Sequence, residues 1–347
     1  MRFTHETLPQ RVRFAAGEAA AAVREEIDLL GARRAMVIAS PRGTDAALAV
    51  AAAIEVAVLH DGVREHVPVE AAEAARAVAS GHGVDVVVPV GGGSATGLAK
   101  AVALTTGLPI VAVPTTYAGS EATDIWGLTA DGTKTTGTDR RVLPRSVVYD
   151  ASLTLDLPAG LTTTSGLNAL AHAVDALWAP RADPINAALA GEGVRALARA
   201  LPAVLDAPRD VATREQAFYG TYLASVAFAS SGSGLHHKIC HVLGGRFDLP
   251  HAATHAVVLP HVVALNAPHA PAAEQRLAAA LAGASAMDGL AELYRRLGAP
   301  RSLGELGLRE DRVVEAAAAI LPSVPPGNPA PVDAHVLERL LRAALRP

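Results

Sequence analysis

Short runs of β-branched residues alternate with alanine-rich helical segments along the first 150 residues. Segments such as EAAEAARAVAS (70–80), whose apolar residues recur at the helical period, predict helices. Buried strands that alternate with helices are typical of a parallel sheet with helices on both faces. The pattern therefore predicts an α/β domain whose strands are RAMVIAS (34–40), VDVVVPV (84–90), LPIVAVPT (108–115) and SVVYD (146–150).

The strand pattern fades after Asp150, and helical periodicity replaces it. TTSGLNALAHAVDALW (163–178) is a long helical segment, whereas PSVPPGNPAPVD (322–333) is typical of a surface loop. We therefore predict two domains, an α/β domain over residues 1–153 and an all-helical domain over residues 154–347. We also expect a cleft between them, because small ligands usually bind in such clefts.

Composition and charge narrow the class of protein. Half of the residues are apolar and 18% are charged, as expected for a globular chain with a buried core. The net charge of −4, without a basic block, argues against nucleic acid as a partner. One cysteine, Cys240, excludes a disulfide framework within the chain, and the apolar runs are too short to cross a membrane. The N-terminus carries charges where a signal peptide needs apolar residues, so we expect a soluble cytoplasmic protein.

A glycine-rich turn, PVGGGSATGLAK (89–100), follows a predicted strand and opens a helix. Its three glycines (91–93) leave room for a phosphate beside the backbone, and Ser94 can cap the helix, whose first N–H groups would face an anion. The turn lacks the G-x-G-x-x-G pattern, so a tight turn without a ligand is the alternative. Small and hydroxylated residues in PTTYAGSEAT (114–123) follow the next strand, at the sheet edge where α/β proteins bind ligands.

Four segments occur in order along the chain: GGGSATGLAKA, PTTYAGSE, SGLNALAHA and GLHHKICHVLGG, the last followed by FDLPH. Together they resemble the iron-containing alcohol dehydrogenase superfamily, and most of all its maleylacetate reductase branch, from about Phe14 to beyond His261. The resemblance implies a dehydroquinate synthase-like fold, with an N-terminal dinucleotide-binding domain, an all-helical catalytic domain and usually a homodimer. It also implies reduction of maleylacetate, a small dicarboxylate of aromatic-compound degradation, to 3-oxoadipate, with NADH or NADPH as the hydride donor.

The resemblance assigns cofactor contacts by position. Members that prefer NADH often carry an acid after the first strand, where this chain has ASPRG (39–43). Ser40 and Arg42 in this segment would not repel a 2′-phosphate, which leaves both NADH and NADPH open. The contact positions are Gly92, Gly93 and Ser94 for the pyrophosphate, Thr115, Thr116, Tyr117 and Ser120 for the nicotinamide side, and Lys134 for the ribose.

Histidines at helical spacing form a second candidate site. His237 and His241 are four residues apart and therefore on one helix face, and Asn168 and His172 repeat this spacing. In metal-dependent members of the superfamily, positions matching 168, 172, 237 and 251 bind the ion, the first of them through an aspartate. Asparagine is a weaker, uncharged ligand, and the maleylacetate reductase branch, which is taken to work without a metal, also has it. We therefore expect the histidines, including His251, to act without a bound metal.

The resemblance also implies a mechanism, in which hydride adds to the alkene carbon beyond the ketone and negative charge moves to the ketone oxygen. Imidazole N–H groups aimed at that oxygen would contribute about 3 kcal/mol each. We predict His241 as the proton donor, and His172 and His237 as donors to the oxygen, with these roles interchangeable. Candidates for substrate binding are backbone amides, Tyr117, Asn168 and Lys238, and a solvated surface lysine is the alternative for the last.

Other polar residues have plainer interpretations or depart from the family pattern. Ala122 and Asp124 are unexpected, since relatives tend to have GSEMTPIWG where this chain has GSEATDIWG, and a carboxylate facing the pocket would repel a dianion. Three alternatives therefore stay open: a metal-independent reductase of another enone or ketone in a biosynthetic pathway, a metal-dependent alcohol dehydrogenase, and a dinucleotide-binding protein without turnover. We predict satisfied core side chains at His236, His255, His261 and His269. We predict that Cys240 is a helix residue facing away from the ligand.

Overall fold

The computed structural model describes residues 1–40, 43–130 and 133–346. Its contacts divide the chain into two compact units. We call them the α/β unit (Pro9–Leu157 with Pro208–Phe218) and the helical unit (Met1–Leu8, Pro158–Ala207 and Tyr219–Pro347). No helix in the described part of the chain is both long enough and apolar enough to cross a membrane.

The α/β unit is built on a six-stranded parallel sheet with the strand order β1-β8-β5-β4-β2-β3. An antiparallel hairpin, β6–β7, forms a second small sheet. The strands are β1 Arg11–Phe14, β2 Ala35–Ala39, β3 Val56–His60, β4 Val86–Gly91, β5 Val111–Pro114, β6 Ile125–Ala130, β7 Thr133–Thr138 and β8 Ser146–Tyr149. The helices of this unit are α1 Ala19–Leu29, α2 Thr44–Ala51, α3 Val69–Gly81 and α4 Gly93–Thr106.

The sheet is buried on both faces, as the continuous apolar strands predict. Along β4, Val86 and Val88 pack into one core cluster with α1, whereas Val87 packs into another with α3 and α4. All four predicted strands are present, and the predicted parallel sheet with helices on both faces is confirmed.

The helical unit contains no strand among its described residues and is formed by long helices. One core cluster joins the C-terminal helices α8, α9, α12 and α13 through residues such as Leu243, Val258 and Leu341. The helices from residue 159 onward are α5 Ala159–Ala176, α6 Pro184–Asp206, α7 Val211–Ser231, α8 Leu235–Phe247, α9 His251–Asn266, α10 Pro271–Leu281, α11 Ala286–Leu297, α12 Val313–Ile320 and α13 Ala334–Ala344.

Two segments depart from the predicted single boundary at 153/154. Residues 208–218 belong to the α/β unit, because the ring of Phe218 packs 4.7 Å from that of Tyr149, centroid to centroid, and 5.1 Å from that of Tyr117. Residues 1–8 belong to the helical unit, where His5 Nδ1 lies 3.0 Å from Asp183 Oδ2. Sequence periodicity does not report such long-range contacts.

Candidate active site

The glycine turn lies in the α/β unit, between β4 and α4. Gly92 is the N-cap of α4 in an extended conformation, and no side chain of the described residues caps this helix, so the predicted capping by Ser94 is wrong. Ser94 lies one residue inside the helix because α4 begins at Gly93. A Cβ at Gly92 would lie 3.0 Å from Thr116 Cγ2. The glycine therefore permits a close approach between the turn and the loop after β5.

The loop after β5 carries the residues predicted for the nicotinamide side. Thr115 and Thr116 are half-buried, and Thr115 N donates to Gly91 O at 3.0 Å, which fixes the loop to the glycine turn. Ser120 Oγ is buried without a hydrogen-bond partner among the described residues. Lys134 lies instead on the hairpin strand β7, paired with Thr129, and burial lowers its pKa. The structure thus joins the glycines to the threonines, while Lys134 occupies a separate element.

Tyr117 differs from its predicted neighbours because its side chain is fully buried. Its hydroxyl accepts from Arg214 Nη1 at 3.2 Å, and burial raises its pKa. Arg214 is itself buried and donates to Pro208 O at 2.7 Å. Tyr117 is therefore part of the core of the α/β unit, and its ring would have to leave Arg214 to contact a ligand.

A buried lysine organises the other end of the same loop. Lys100 Nζ donates to Ser120 O at 2.6 Å, to Thr123 O at 2.8 Å and to Ile125 O at 2.8 Å, and lies 2.9 Å from Thr123 Oγ1. Burial lowers the pKa of Lys100 to about 7, and the carboxylates of Glu121 and Asp124 oppose this shift. The unexpected Asp124 therefore lies in the field of a buried ammonium group. Sequence reasoning missed Lys100 because a lysine on a helix is usually solvated.

The second site lies in the helical unit, where α5, α8 and α9 bring together the four predicted histidines. The rings of His172 and His237 are stacked, with centroids 4.9 Å apart. His237 is 6.1 Å from His241, which stacks in turn on His251 at 6.4 Å. His172 and His237 are buried, whereas His241 and His251 are partly exposed. Asn168 is buried one turn before His172 on α5.

Asp175 fixes the orientation of His237. Its Oδ2 lies 2.7 Å from His237 Nδ1 and accepts from the backbone N–H groups of Gly234 (3.1 Å) and His237 (3.2 Å). The carboxylate is fully buried, and it satisfies N–H groups at the start of α8. With Nδ1 bonded to Asp175, His237 Nε2 remains buried without a hydrogen-bond partner among the described residues. A signal was available, because Asn168, His172 and Asp175 share one face of α5 at i, i+4 and i+7.

His255 lies among the other histidines, although we predicted it as an ordinary core residue. Its ring contacts those of His236, His237 and His251, with centroids 4.9, 4.8 and 4.5 Å away, and lies 6.5 Å from that of His241. Its Nδ1 is 2.9 Å from His236 Nε2, whereas its Nε2 is buried without a partner among the described residues. The spacing of His251 and His255, one helical turn, could have identified it.

Burial keeps the innermost rings neutral. It lowers the pKa of His236 and of His237 to about 3, and it lowers the pKa of His255 well below the usual value. Lys238, half-exposed on α8, adds to the shift at His237 through its positive charge. The cluster therefore offers uncharged imidazoles that can donate or accept hydrogen bonds.

Two family models match this chain and together cover most of it. The model described as "Iron-containing alcohol dehydrogenase" matches residues 9–151, and the one described as "Fe-containing alcohol dehydrogenase family, C-terminal" matches residues 162–345. The chain belongs to the iron-containing alcohol dehydrogenase family. The predicted family and fold class are thereby confirmed, and the protein is an oxidoreductase.

Relatives within the iron-containing alcohol dehydrogenase family match over almost the whole length. A maleylacetate reductase from Delftia acidovorans is 46% identical over 346 residues, 99% of this chain and 98% of the relative. An iron-containing alcohol dehydrogenase from Corynebacterium glutamicum has a crystal structure similar to this one, with 54% identity, a TM-score of 0.96 and coverage of 99% and 97% of the two chains. The crystal structure of maleylacetate reductase from Agrobacterium tumefaciens gives 43% identity, a TM-score of 0.92 and coverage of 99% and 98%.

The iron implied by the family name does not fit the donor set of this chain. At the four positions that bind the ion in metal-dependent members, the chain has Asn168, His172, His237 and His251, which provide no negative charge. The three histidines do not bring their ligand nitrogens within 4.8 Å of one another. His237 Nδ1 is bonded to Asp175, and His172 Nδ1 lies 3.0 Å from Ser225 Oγ, so each ring presents its Nε2 to a ligand. The misfit to iron therefore rests on the missing carboxylate and on the separation of the three rings.

Proposed function

We propose that this protein reduces maleylacetate to 3-oxoadipate with NADH or NADPH, as a step in the degradation of aromatic compounds. One observation carries the proposal: identity of 46% to a maleylacetate reductase over 99% of the chain. The histidine cluster, whose innermost rings are buried and neutral, supports it, because charge that develops on a ketone oxygen needs hydrogen-bond donors. We further propose that the protein acts in the cytoplasm as a homodimer. Light scattering on the purified protein would test the oligomeric state.

The dinucleotide would bind at the glycine turn, which suits a phosphate. Gly92 and Gly93 lack side chains, and the start of α4, which no described side chain caps, offers backbone N–H groups to an anion. When bound, the reduced cofactor supplies hydride to the substrate. In this proposal, Ser94 would also meet the pyrophosphate, Thr115, Thr116 and Ser120 would line the nicotinamide side, Tyr117 would support this loop from the core, and Lys134 would reach the ribose. Ser40 and Arg42 are the two residues that would admit NADPH, and Arg42 lies outside the described residues.

The histidines would stabilise the ketone oxygen and deliver a proton. Ser225 can donate to His172 Nδ1, which leaves the proton of that ring on Nε2, available for the substrate oxygen. A neutral His237 keeps its proton on Nδ1 beside Asp175, so its Nε2 accepts unless the ring gains a second proton. We therefore favour His172 as the neutral donor to the oxygen and His241, which is partly exposed, as the proton donor.

Substrate carboxylates need positive or N–H groups near this cluster. Lys238 is half-exposed on the same helix as His237 and His241, so it is our candidate for one carboxylate. Asn168 is the candidate for a neutral contact, and His251, which stacks on His241, would complete the site. Asp124 argues for a different enone or ketone if its carboxylate faces the substrate, although the nearby ammonium of Lys100 offsets its charge.

A substrate panel tests the proposed function. NADH and NADPH oxidation would be followed at equal enzyme concentration with maleylacetate, with other enones that carry one or two carboxylates, and with plain aldehydes. We expect maleylacetate to give the highest kcat/KM. Preference for an enone with one carboxylate would favour the alternative reductase, and preference for aldehydes together with dependence on added metal would favour an alcohol dehydrogenase.

A further inference from the structure

Behind the four predicted histidines, three other side chains converge. His236 and Cys240 occupy positions i and i+4 on α8, and His255 lies on α9. His236 Nε2 is 2.9 Å from His255 Nδ1 and 3.7 Å from Cys240 Sγ. In the described part of the chain, this is the one group of three histidine, cysteine or carboxylate side chains whose ligand atoms all lie within 4.8 Å of one another.

We propose that His236, Cys240 and His255 form a binding site for a divalent metal ion of the zinc type. The site is distinct from the positions that bind iron in metal-dependent members of the family. Two imidazoles and one thiolate are a ligand set that zinc and cobalt accept, with a fourth position open for a water or another ligand.

The distances are close to those of a zinc site. Zn–N bonds of about 2.1 Å and a Zn–S bond of about 2.3 Å place tetrahedral N and S ligands roughly 3.6 Å apart and two N ligands roughly 3.4 Å apart. The observed 3.7 Å between Cys240 Sγ and His236 Nε2 already fits this geometry. The two imidazole nitrogens, 2.9 Å apart, share a hydrogen bond, so metal binding must open this bond, turn both rings toward a common point and separate the nitrogens by about 0.5 Å.

Charge balance also supports the site. Binding releases the thiol proton of Cys240, so the ion and the thiolate together carry one positive charge. Burial and the charge of Asp175 raise the pKa of the Cys240 thiol, so the thiolate forms only together with the ion, and the Asp175 carboxylate then supplies the compensating negative charge. The three ligands are buried, and the side of the cluster nearest to solvent is at His251, which is partly exposed and whose ring contacts that of His255.

The chain has a single cysteine, which makes cobalt an unambiguous probe. Cobalt(II) would be titrated anaerobically into chelator-treated protein while the near-ultraviolet absorption is recorded. A sulfur-to-cobalt charge-transfer band can come only from Cys240, and we expect it to appear and to be displaced by zinc. Absence of this band at millimolar cobalt would overturn the proposal.

Variants can show whether the metal binds at this site or at the positions that bind iron in metal-dependent members of the family. We expect Cys240→Ala and His255→Gln to weaken zinc binding, measured by competition with a chromophoric chelator, by more than about tenfold. His251→Gln, which removes a histidine from the other set, should leave both the cobalt band and the zinc affinity of the wild type. Zinc binding that depends on His251 and not on Cys240 would contradict the proposal. Circular dichroism and urea unfolding would establish that each variant is folded.

Bound zinc would place a positive charge on His255, whose ring contacts those of His237 and His251, and should inhibit the reductase. This consequence rests on the proposed function, whereas the cobalt and zinc measurements do not use turnover. A cobalt band in a protein without maleylacetate reduction would therefore preserve the metal site and reject the proposed function. Inhibition of the reductase by zinc that persists in Cys240→Ala would reject the site as its cause.

Discussion

At the scale of single residues, the histidine cluster in the helical unit contains side chains that contact solvent and others that are fully buried. His241 and His251 are partly exposed, whereas Asp175, His236 and His255 are fully buried. A proton that reaches the substrate must be replaced from water, so the exposed rings are better suited to deliver it.

His241→Ala should lower kcat on the order of a hundredfold or more, because it removes the proposed general acid, and should preserve cofactor affinity. Steady-state kinetics and a cofactor titration would measure both effects. His269 is exposed and outside the cluster, so its prediction as a core side chain is wrong. His269→Ala therefore serves as the control and should keep the wild-type rate. A normal kcat in His241→Ala would return this histidine to a structural role.

Asp175→Asn tests whether the carboxylate positions His237. The amide keeps the size of the side chain but removes the charge and one acceptor oxygen, so kcat should fall by about tenfold or more while KM for the cofactor stays constant. The ¹⁵N NMR signals of the His237 ring should report a changed tautomer, which a purely structural role would not predict. If the loss of kcat in Asp175→Asn adds fully to the loss in His237→Ala when the two changes are combined, Asp175 does not act through this ring. Asp206→Asn, at an exposed carboxylate, is the control.

Some of these residues could not be predicted because their roles depend on contacts that sequence periodicity does not encode. Asp175 and His255 share helix faces with predicted residues, so their spacing was a usable signal. Lys100 gave no such signal, because its partners lie 20 to 25 residues further along the chain. The burial of Tyr117 likewise depends on Arg214, almost 100 residues away.

At the scale of elements, continuous apolar strands were predictable and edge strands were not. β4 and β5 are buried along their whole length, as their sequences indicate. β1 (RVRF) and β3 (VAVLH) lie at the two edges of the sheet. Arginines break the apolar run of β1, whereas β3 is apolar and was overlooked. The hairpin β6–β7 was missed because threonine, glycine and lysine dominate its second strand.

The glycine turn between β4 and α4 predicts a local effect of added volume. Gly92→Val should raise the KM for the cofactor at least about tenfold, because its side chain would enter space near the proposed pyrophosphate and press on Thr116. The matched control is Gly160→Val, since a Cβ at Gly160 meets no atom within 4 Å. Cofactor binding by Gly92→Val as tight as in the control would remove the turn from the site.

The edge of the sheet also predicts a dependence of stability on pH. Glu26 on α1 is fully buried, accepts from Arg11 Nε on β1 at 2.9 Å and from Ser146 Oγ on β8 at 2.5 Å. Burial raises the pKa of Glu26, but the hydrogen bonds from Arg11 and Ser146 and the charges of Arg11 and Arg13 together lower it by more, so the net shift is downward. The folded protein therefore releases this proton more readily than the unfolded chain, and the resulting stability is present above the unfolded pKa and lost as the pH falls below it.

Glu26→Gln should reduce that loss. Urea unfolding between pH 3 and pH 7, about the range that spans the unfolded carboxyl pKa, should show a flatter decline in the variant. At neutral pH the free energy of unfolding should be lower by on the order of 1–3 kcal/mol, because a buried charged acceptor is lost. Parallel curves for the two proteins would mean that other carboxylates govern acid unfolding.

At the scale of the whole molecule, the protein is an oxidoreductase that retains the family's fold but not the charged ligand of its metal site. Prolonged dialysis against a chelator should leave the reductase activity unchanged or, if the proposed zinc site is occupied, increase it. Activity that is lost on chelation and restored by iron would show that the histidines still serve a metal. Metal content measured before and after dialysis would show whether a change in the reductase rate follows a change in bound metal.

The lysine at position 100 has a consequence for how the molecule meets its ligands. Its ammonium group sits among four oxygens of residues 120–125, much as a bound potassium ion would, yet it is covalently part of the chain and cannot dissociate. A loop assembled around a covalently attached ammonium group is held by hydrogen bonds before any ligand arrives, and these contacts should weaken as the pH rises through the Lys100 pKa of about 7. If the cofactor binds at this loop as proposed, its binding should lose little conformational entropy, and the association should be fast and nearly free of induced fit.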